Sequence, residues 1–340
     1  MRTLLIKRLT KGSETVRSAY QIKLYSSRVR YKFSIRRNIT IIQGASATGK
    51  TTLVDMVREY ENNGADSGIS ISCEKECVVL EGRHWQQDLS LIHDSIVFID
   101  EFNKFVRSED FARAIRYTDN YYVIVTREPL ENLPYSVEEI YGIRLSGKYG
   151  TLKQAYHEFY RLYDKPAPQE PFIPNTLLTE DANSGHQFFH ALADITGRAC
   201  ETAAGKSNIF AWLQAHPESR TLIVADGAAF GSQIERISML IRFGYHCMLY
   251  LPESFEWLLL SSRLIDGREV RDILQNPAEY IESQEYFSWE QFFTHLLVEL
   301  TQGTIWQYQK NSLNPIYLHE GNMQKVVALL PPVVAGKGDA

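Results

Sequence analysis

The sequence predicts an α/β protein with two domains, and three observations support this fold class. Short apolar or β-branched runs, typical of buried strands, alternate with amphipathic stretches of helical period. A proline-rich segment interrupts this alternation near the middle of the chain, and the alternation resumes beyond it. The length of 340 residues also exceeds what one hydrophobic core usually supports.

The N-terminal domain is predicted to occupy residues 1–165 and to open with basic strands within residues 1–37. Because strands and helices alternate beyond that point, the strands should form a parallel sheet covered on both faces. The expected strands are 4–6, 20–35, 39–42, 69–80, 96–99 and 121–125, and the expected helices are 51–60 and 108–117.

The clearest boundary lies at residues 166–174, where four prolines occur within nine residues. Proline fixes φ and lacks a backbone N–H, so this segment favours an extended, semi-rigid linker. A second, smaller α/β domain with a helical C-terminal part is predicted over 175–330, followed by a flexible tail at 331–340. Its expected strands are 176–178, 221–224 and 247–251, its expected helices are 186–196 and 232–241, and 254–300 should be mostly helical.

The composition favours a globular protein of the cytoplasm. The chain is 44% hydrophobic and 23% charged, with a net charge of −5, which is ordinary for a folded protein in water. No apolar run approaches the roughly 20 residues that a membrane-spanning helix needs, so no membrane partner is expected. Four cysteines in this length do not make a disulfide framework, which fits a reducing compartment.

Charge is distributed unevenly along the chain. Residues 1–50 contain twelve lysines and arginines and one acid, Glu14, whereas the rest contains 24 basic and 40 acidic side chains. Such a basic segment predicts a positive surface that binds nucleic acid or an acidic partner. Residues 28–33 also alternate with period two, so the alternative is that these charges form the solvated face of a half-buried strand.

A complete phosphate-binding motif follows the strand expected at 39–42. Residues 44–51 match the Walker A pattern G-x-x-x-x-G-K-[ST], in which backbone N–H groups and a helix N-terminus surround a phosphate. Lys50 is expected to reach the β- and γ-phosphates, and the Thr51 hydroxyl is expected to bind Mg²⁺. The predicted nucleotide-binding residues are Gly44, Ala45, Ser46, Ala47, Thr48, Gly49, Lys50, Thr51 and Thr52.

The second half of a nucleotide site follows the strand expected at 96–99. Four apolar residues lead directly into Asp100 and Glu101, which is the Walker B pattern. Asp100 is expected to hold Mg²⁺, and Glu101 is expected to orient and deprotonate the attacking water. A simple turn after a strand is the alternative for these acids, but their position after a complete Walker A motif argues against it.

Together the two motifs resemble the P-loop NTPases, in the AAA-like branch in which a glutamate follows the Walker B aspartate. The resemblance covers about residues 30–145. It implies ATP and Mg²⁺ as cofactors, ATP hydrolysis, and a parallel sheet with the Walker B strand near the P-loop strand. It also implies a polar γ-phosphate sensor after the next strand. Thr126 occupies that place, and Arg127 is a candidate for neutralising charge; the alternative for Arg127 is a surface ion pair with Glu128.

Two other functions stay open on the sequence. Residues 126–129, T-R-E-P, resemble a thymidylate kinase motif, and residues 100–102, D-E-F, resemble thymidine kinases, so a nucleoside or nucleotide kinase is one alternative. A regulatory switch that binds nucleotide without useful hydrolysis is the other. A GTPase is set aside because no N-K-x-D motif follows a strand, and an ABC transporter subunit because no signature precedes the Walker B strand.

Two acids in the second domain follow predicted strands. Glu180 comes after the strand at 176–178, and Asp226 comes after the strand at 221–224. Because the carboxyl ends of neighbouring parallel strands meet at one sheet edge, these side chains are candidate ligands of Mg²⁺ or Mn²⁺. The alternative is a Rossmann-like domain whose strand-end acids cap helices.

The second domain resembles a TOPRIM domain over about residues 172–252. That family has an Asp-x-Asp motif where this chain has Asp226 and Ala228, so a one-metal site and an inactive domain both stay open. An ATPase followed by TOPRIM resembles OLD-type nucleases of prokaryotic defence and phage-exclusion systems. The resemblance implies action with nucleic acid, and a second copy or a partner subunit is a candidate to complete the metal site.

Overall fold

A computed structural model describes residues 19–45, 48–146, 155–163, 172–281 and 285–331. The described chain divides into two compact units. The first contains Thr15–Asp164 together with Ala278–Ser288, and the second contains Lys165–Pro277 together with Trp289–Ala340, each as far as it is described. The strand expected at 4–6, most of the predicted linker and all but one residue of the predicted tail lie outside the described residues.

One segment expected in the second domain belongs to the first unit. Within Ala278–Ser288, the Tyr286 carbonyl accepts a hydrogen bond from Asn38 Nδ2 at 3.3 Å. The guanidinium carbon of Arg116 lies over the Phe287 ring, 5.9 Å from the ring centroid. The chain therefore returns to the first unit after leaving it, which proline content alone does not indicate.

The first unit contains a nine-stranded sheet in the order β4-β1-β2-β9-β8-β3-β7-β6-β5. Its strands are β1 Tyr20–Tyr25, β2 Val29–Ile35, β3 Ile39–Ile42, β4 Ser70–Ser72, β5 Glu76–Val79, β6 Ser95–Ile99, β7 Tyr121–Val125, β8 Ile140–Leu145 and β9 Ala155–Arg161. The strands predicted around β3, β6 and β7 are confirmed. The mixed α/β class is confirmed as well.

Five adjacent strands of this sheet, β8-β3-β7-β6-β5, run parallel. Every residue of β3, β6 and β7 is buried, as expected for parallel strands covered on both faces. This is why they appear in the sequence as unbroken apolar runs. The Walker B strand β6 does not adjoin the P-loop strand β3, because β7 lies between them.

The other side of the sheet is mostly antiparallel. β9 pairs antiparallel with β8 and parallel with β2, and β1 pairs antiparallel with both β2 and β4. β1 and β2 alternate buried and exposed side chains, which confirms the period-two pattern of the basic segment. β8 and β9 were not predicted, because they contain charged, half-exposed residues without a clear alternation.

Three α-helices of the first unit are described: α1 Lys50–Asn63, α2 Trp85–Leu89 and α3 Glu109–Ile115. α1 begins directly after the phosphate motif and buries Leu53, Val54 and Val57 in the core of this unit. α3 begins at an N-cap, since the Ser108 hydroxyl accepts a hydrogen bond from the Phe111 N–H at 3.1 Å.

The second unit contains a parallel four-stranded sheet in the order β11-β10-β12-β13. Its strands are β10 Thr176–Thr179, β11 Ala199–Thr202, β12 Thr221–Val224 and β13 Cys247–Tyr250. Its helices are α4 Ser184–Thr196, α5 Ile209–Ala215, α6 Ile234–Arg242, α7 Phe255–Ser261, α8 Arg268–Gln275, α9 Trp289–Thr301 and α10 Glu320–Val327. The helical C-terminal part is confirmed, and β11 and α5 were not predicted.

Among the residues that the structure describes, no helix is both long enough and apolar enough to cross a membrane.

Candidate functional site

Three neighbouring parallel strands of the first unit end at one edge of the sheet. β3 leads into the phosphate motif, β6 leads into Asp100, and β7 leads into Thr126. Ile42 lies opposite Val125, Ile99 lies opposite Ile124, and the Thr126 N–H donates to the Ile42 carbonyl at 3.1 Å. Both halves of the predicted nucleotide site therefore reach the same edge, where open α/β sheets bind ligands.

The phosphate motif depends on glycine at both ends. Gly44 has φ of +130° and Gly49 has φ of +97°, values that side-chain-bearing residues rarely adopt. Gly49 is the residue immediately before α1 and turns the chain into the helix. Ser46 and Ala47 lie outside the described residues. The backbone on either side of them places the loop at the N-terminus of a 14-residue helix, where backbone N–H groups attract anions.

The Lys50 ammonium lies inside this loop. Its Nζ donates to the carbonyls of Gly44 and Ala45, at 2.9 and 2.6 Å, and to Thr48 Oγ1 at 3.3 Å. Burial lowers the pKa of Lys50, while the carboxylates of Glu101 and Asp100 oppose that shift. The ammonium is thus held at the centre of the site, and phosphate oxygens would be stronger, charge-assisted acceptors than these carbonyls.

The predicted Mg²⁺ ligands have the chemistry that this ion requires. Thr51 and Thr52 are exposed in the first turn of α1, and Asp100 is buried at the end of β6. Asp100 Oδ1 accepts the Glu101 N–H at 2.8 Å. Burial raises the pKa of Asp100. A hydroxyl and a carboxylate are oxygen donors, the kind that Mg²⁺ prefers.

Glu101, the predicted base, is held by Arg127. The Arg127 Nε and Nη2 atoms donate to the two Glu101 carboxylate oxygens, each at 2.8 Å. The hydrogen bond from Arg127 lowers the pKa of Glu101. The alternative pairing of Arg127 with Glu128 is wrong, because Glu128 pairs with Arg107 at 2.6 Å.

Thr126, the predicted γ-phosphate sensor, is buried at the end of β7. Its hydroxyl donates to the Glu128 carbonyl at 2.7 Å and accepts the Glu128 N–H at 3.2 Å. The hydroxyl is therefore engaged in a local turn that presents Arg127 to the site. In this arrangement Thr126 shapes the turn, and a direct contact of its hydroxyl with phosphate stays a prediction.

Two residues missed on the sequence support the phosphate motif from β2 and β9. The Tyr31 hydroxyl donates to the Gly49 carbonyl at 2.7 Å, and the His157 ring stacks on Tyr31 with centroids 4.7 Å apart. A Cβ on Gly49 would lie 2.7 Å from His157 Cε1 and 2.8 Å from the Tyr31 hydroxyl oxygen. Burial raises the pKa of Tyr31 and lowers that of His157. The basic β2 strand thus contacts the loop that the motif defines.

The comparisons with known proteins add no family assignment. No protein-family model matches the chain, and no curated protein matches it either. The resemblance to P-loop NTPases and TOPRIM domains therefore stays a prediction from the sequence motifs.

The second unit brings together the two other predicted metal ligands. Glu180 and Asp226 follow the adjacent strands β10 and β12, and the Asp226 N–H donates to Glu180 Oε2 at 3.3 Å. The chain places β11 on one side of β10 and then β12 and β13 on the other side, so the strand order switches between β10 and β12. Ligand sites of open α/β sheets form at such a point, and a small cavity there is lined by both acids and by His186.

Two lysines missed on the sequence lie near the acids, and one of them lines the cavity. Lys310 lines it and pairs with Glu290, and Lys206 donates to the Ala229 carbonyl at 2.7 Å. Burial lowers the pKa of Lys206, and the negative charge of Glu180 opposes this shift. Lysine ammonium groups therefore lie beside the carboxylates and neutralise part of their charge, as a divalent ion does in many acidic sites.

The pKa values of Glu180 and Asp226 are both raised, chiefly by burial. Burial raises the pKa of Asp226 well above its usual range, and the negative charges of Glu290 and Glu180 add to the shift. Burial also raises the pKa of Glu180. Within the described ranges, no group of three or more His, Cys, Asp or Glu side chains is arranged to hold a metal ion. Metal binding by Glu180 and Asp226 stays a prediction.

Proposed function

We propose that the chain binds ATP with Mg²⁺ at the edge formed by β3, β6 and β7 and hydrolyses it. The observation that carries this proposal is the convergence of the two motifs. β3 and β6 lead into the two motifs and both pair with β7, so the motifs reach one edge of the sheet, although the acids lie about 50 residues further along the chain than Lys50. A single small site therefore combines a phosphate-binding cation, metal-type oxygen ligands and a base.

Each side chain has a distinct role in the proposed reaction. Lys50 and the N-terminus of α1 would bind the β- and γ-phosphates. Thr51 and Asp100 would hold Mg²⁺, which neutralises charge on the phosphates when bound. Glu101 would orient a water and accept its proton as the water oxygen bonds to the γ-phosphorus. The bond from that phosphorus to the bridging oxygen breaks, and ADP and phosphate leave.

Two substitutions test the proposed function. Lys50→Ala should abolish ATP binding in calorimetry, because it removes the cation held inside the loop. Glu101→Gln should retain binding but lower turnover by about 10²–10⁴-fold, because an amide cannot accept the proton. Glu128→Gln, which changes the same residue type beside the site, is the matched control and should keep wild-type turnover. Equal ATP affinity for Lys50→Ala and wild type would remove the basis of the proposal.

The ion pair of Glu101 favours a second candidate, a nucleotide-binding switch with negligible hydrolysis. Both carboxylate oxygens accept hydrogen bonds from Arg127, and an acceptor engaged in this way is a weaker base. The same experiment separates the candidates. A switch would bind ATP through Lys50, yet wild type and Glu101→Gln would show equally low turnover.

We propose further that the ATPase acts with nucleic acid through an exposed basic face of the first sheet. Lys23, Arg30 and Lys32 all lie on the exposed face of β1 and β2. Lys23 and Lys32 stand directly opposite each other, and Tyr25, opposite Arg30, is 41% exposed. Like charges placed opposite each other are unfavourable unless an anion neutralises them. In a single-stranded nucleic acid, the phosphates would neutralise the lysines and the bases would stack on Tyr25.

A further inference from the structure

The Glu101–Arg127 pair joins a fixed side chain to a movable one. The Glu101 side chain is 11% exposed, whereas the Arg127 side chain is 59% exposed. The guanidinium reaches the carboxylate as a fork, with two hydrogen bonds of 2.8 Å. Such a pair fixes the orientation of the carboxylate, but the arginine can rotate away through solvent without disturbing the core.

The guanidinium also lies within electrostatic range of the phosphate-binding lysine. Arg127 and Glu101 both act on the Lys50 ammonium, with opposite signs. Arg127 follows β7, the strand that separates the strands of the two motifs. A phosphate bound by Lys50 is therefore close to a second cation, and that cation already has an anionic partner.

We infer that Arg127 is a positioning residue for which Glu101 and the γ-phosphate of ATP compete. The inference rests on the proposed function, since it requires ATP at Lys50. Carboxylate and phosphate both match the guanidinium fork, and the phosphate carries the larger charge. Transfer of Arg127 to the γ-phosphate frees Glu101 to accept a proton from the attacking water. ADP lacks that phosphate and leaves the pair intact.

The competition predicts a specific double-mutant cycle. Wild type, Glu101→Gln, Arg127→Ala and the double variant are titrated by calorimetry with Mg²⁺ and the ATP analogue whose β–γ bridge is NH. Glu101→Gln should tighten binding of the analogue in the presence of Arg127 by a factor about threefold larger than in the Arg127→Ala background. The reason is that the substitution removes a competing ion pair only when Arg127 is present. With ADP, Glu101→Gln should change the binding affinity by the same factor whether or not Arg127 is present.

A neighbouring ion pair provides the matched control. Arg107 and Glu128 pair at 2.6 Å, with side chains 48% and 62% exposed, and the sequence places Glu128 directly after Arg127. The same four-variant cycle on Arg107→Ala and Glu128→Gln should show no coupling to the analogue. This excludes a general effect of removing an exposed ion pair from this region.

The outcomes separate this inference from the proposed function. An equal gain from Glu101→Gln in both backgrounds overturns the competition, and so does coupling of the same size with ADP. A purely structural role of the pair would affect both nucleotides alike. If Lys50→Ala binds the analogue as tightly as wild type, the nucleotide site itself is wrong, whatever the cycle gives.

Discussion

At the scale of single residues, the acids at the two strand-end sites are neutralised in different ways. Glu101 is held by an arginine that solvent can reach freely, whereas Glu180 and Asp226 lie beside Lys206 and Lys310, which are only partly exposed. An exposed pair can exchange partners at little cost, but separating buried charges is unfavourable. The first arrangement suits a site that must change during a reaction, and the second suits a fixed one.

A buried acid elsewhere in the first unit permits a test of pH dependence. Glu139 is 1% exposed, and its Oε1 lies 3.7 Å from Arg37 Nε. Burial raises its pKa from 4.5 to about 7, although Arg37 opposes the shift. Between these values the folded protein keeps the proton and the unfolded chain loses it, so this residue lowers the free energy of unfolding as pH rises.

Glu139→Gln removes that titration. Relative to wild type, the variant should gain free energy of unfolding as the pH rises from 4.5 to about 7 and change little above that, as measured by urea unfolding. Glu138→Gln, which changes the neighbouring carboxyl that also pairs with Arg37, is the control for loss of charge beside this arginine. A constant difference between Glu139→Gln and wild type over this range would contradict the assignment.

At the scale of elements, the phosphate loop is supported by the antiparallel side of the sheet. Tyr31 on β2 and His157 on β9 pack where a side chain on Gly49 would lie. The loop therefore depends on β2 and β9, which lie beyond β8 on one side of β3, in addition to its own motif. Nucleotide affinity and loop stability should respond to changes at this contact.

Two glycine substitutions separate backbone strain from this packing. Gly44→Ala introduces strain at φ of +130°, and no atom of the described residues lies within 4 Å of the new Cβ. The strain should cost about 1–2 kcal/mol of stability. Gly49→Ala adds to the strain a clash with His157 and Tyr31. It should therefore be the more destabilising in thermal unfolding and should weaken ATP binding further. Equal effects of the two variants would show that a Cβ at Gly49 does not clash with His157 and Tyr31.

At the scale of the whole molecule, charge is segregated onto the exposed face of β1 and β2. If this face binds nucleic acid, affinity should fall steeply with salt, because condensed counterions are released. Lys23→Gln with Lys32→Gln should reduce the slope of log K against log salt by about 1.4 for a single strand. The measurement is fluorescence anisotropy with a labelled oligonucleotide.

A second pair of basic residues controls for net charge. Lys104 and Arg113 are exposed and lie in a 3₁₀ helix and in α3, which connect β6 to β7. In the sheet order these two strands lie on the other side of β3 from β1 and β2. Substituting both by Gln makes the same change in net charge and should leave the slope as in wild type. Similar slopes for the two double variants, or no binding at low salt, would make the basic face an ordinary solvated surface.

The sequence by itself determined the parallel strands that are buried on both faces and the motifs at their ends. Strands buried on both faces are continuous apolar runs, so the predicted bounds of β3, β7 and β12 equal those observed. Glycine at the ends of the phosphate loop and acids after β6 are also local signals, because backbone conformation and strand-end position need no distant contact. The adjacency of Glu180 and Asp226 followed from the same rule for strand ends.

Only the tertiary structure decided which side chains meet. Tyr31 reaches Gly49 across 18 residues, and Arg127 reaches Glu101 across 26, and no local pattern records either pairing. β8 and β9 were missed because half-exposed strands with charged residues carry no clear periodicity. The lysine near Glu180 comes from a short helical turn after β11. These features depend on packing between distant segments, which single-sequence periodicity does not encode.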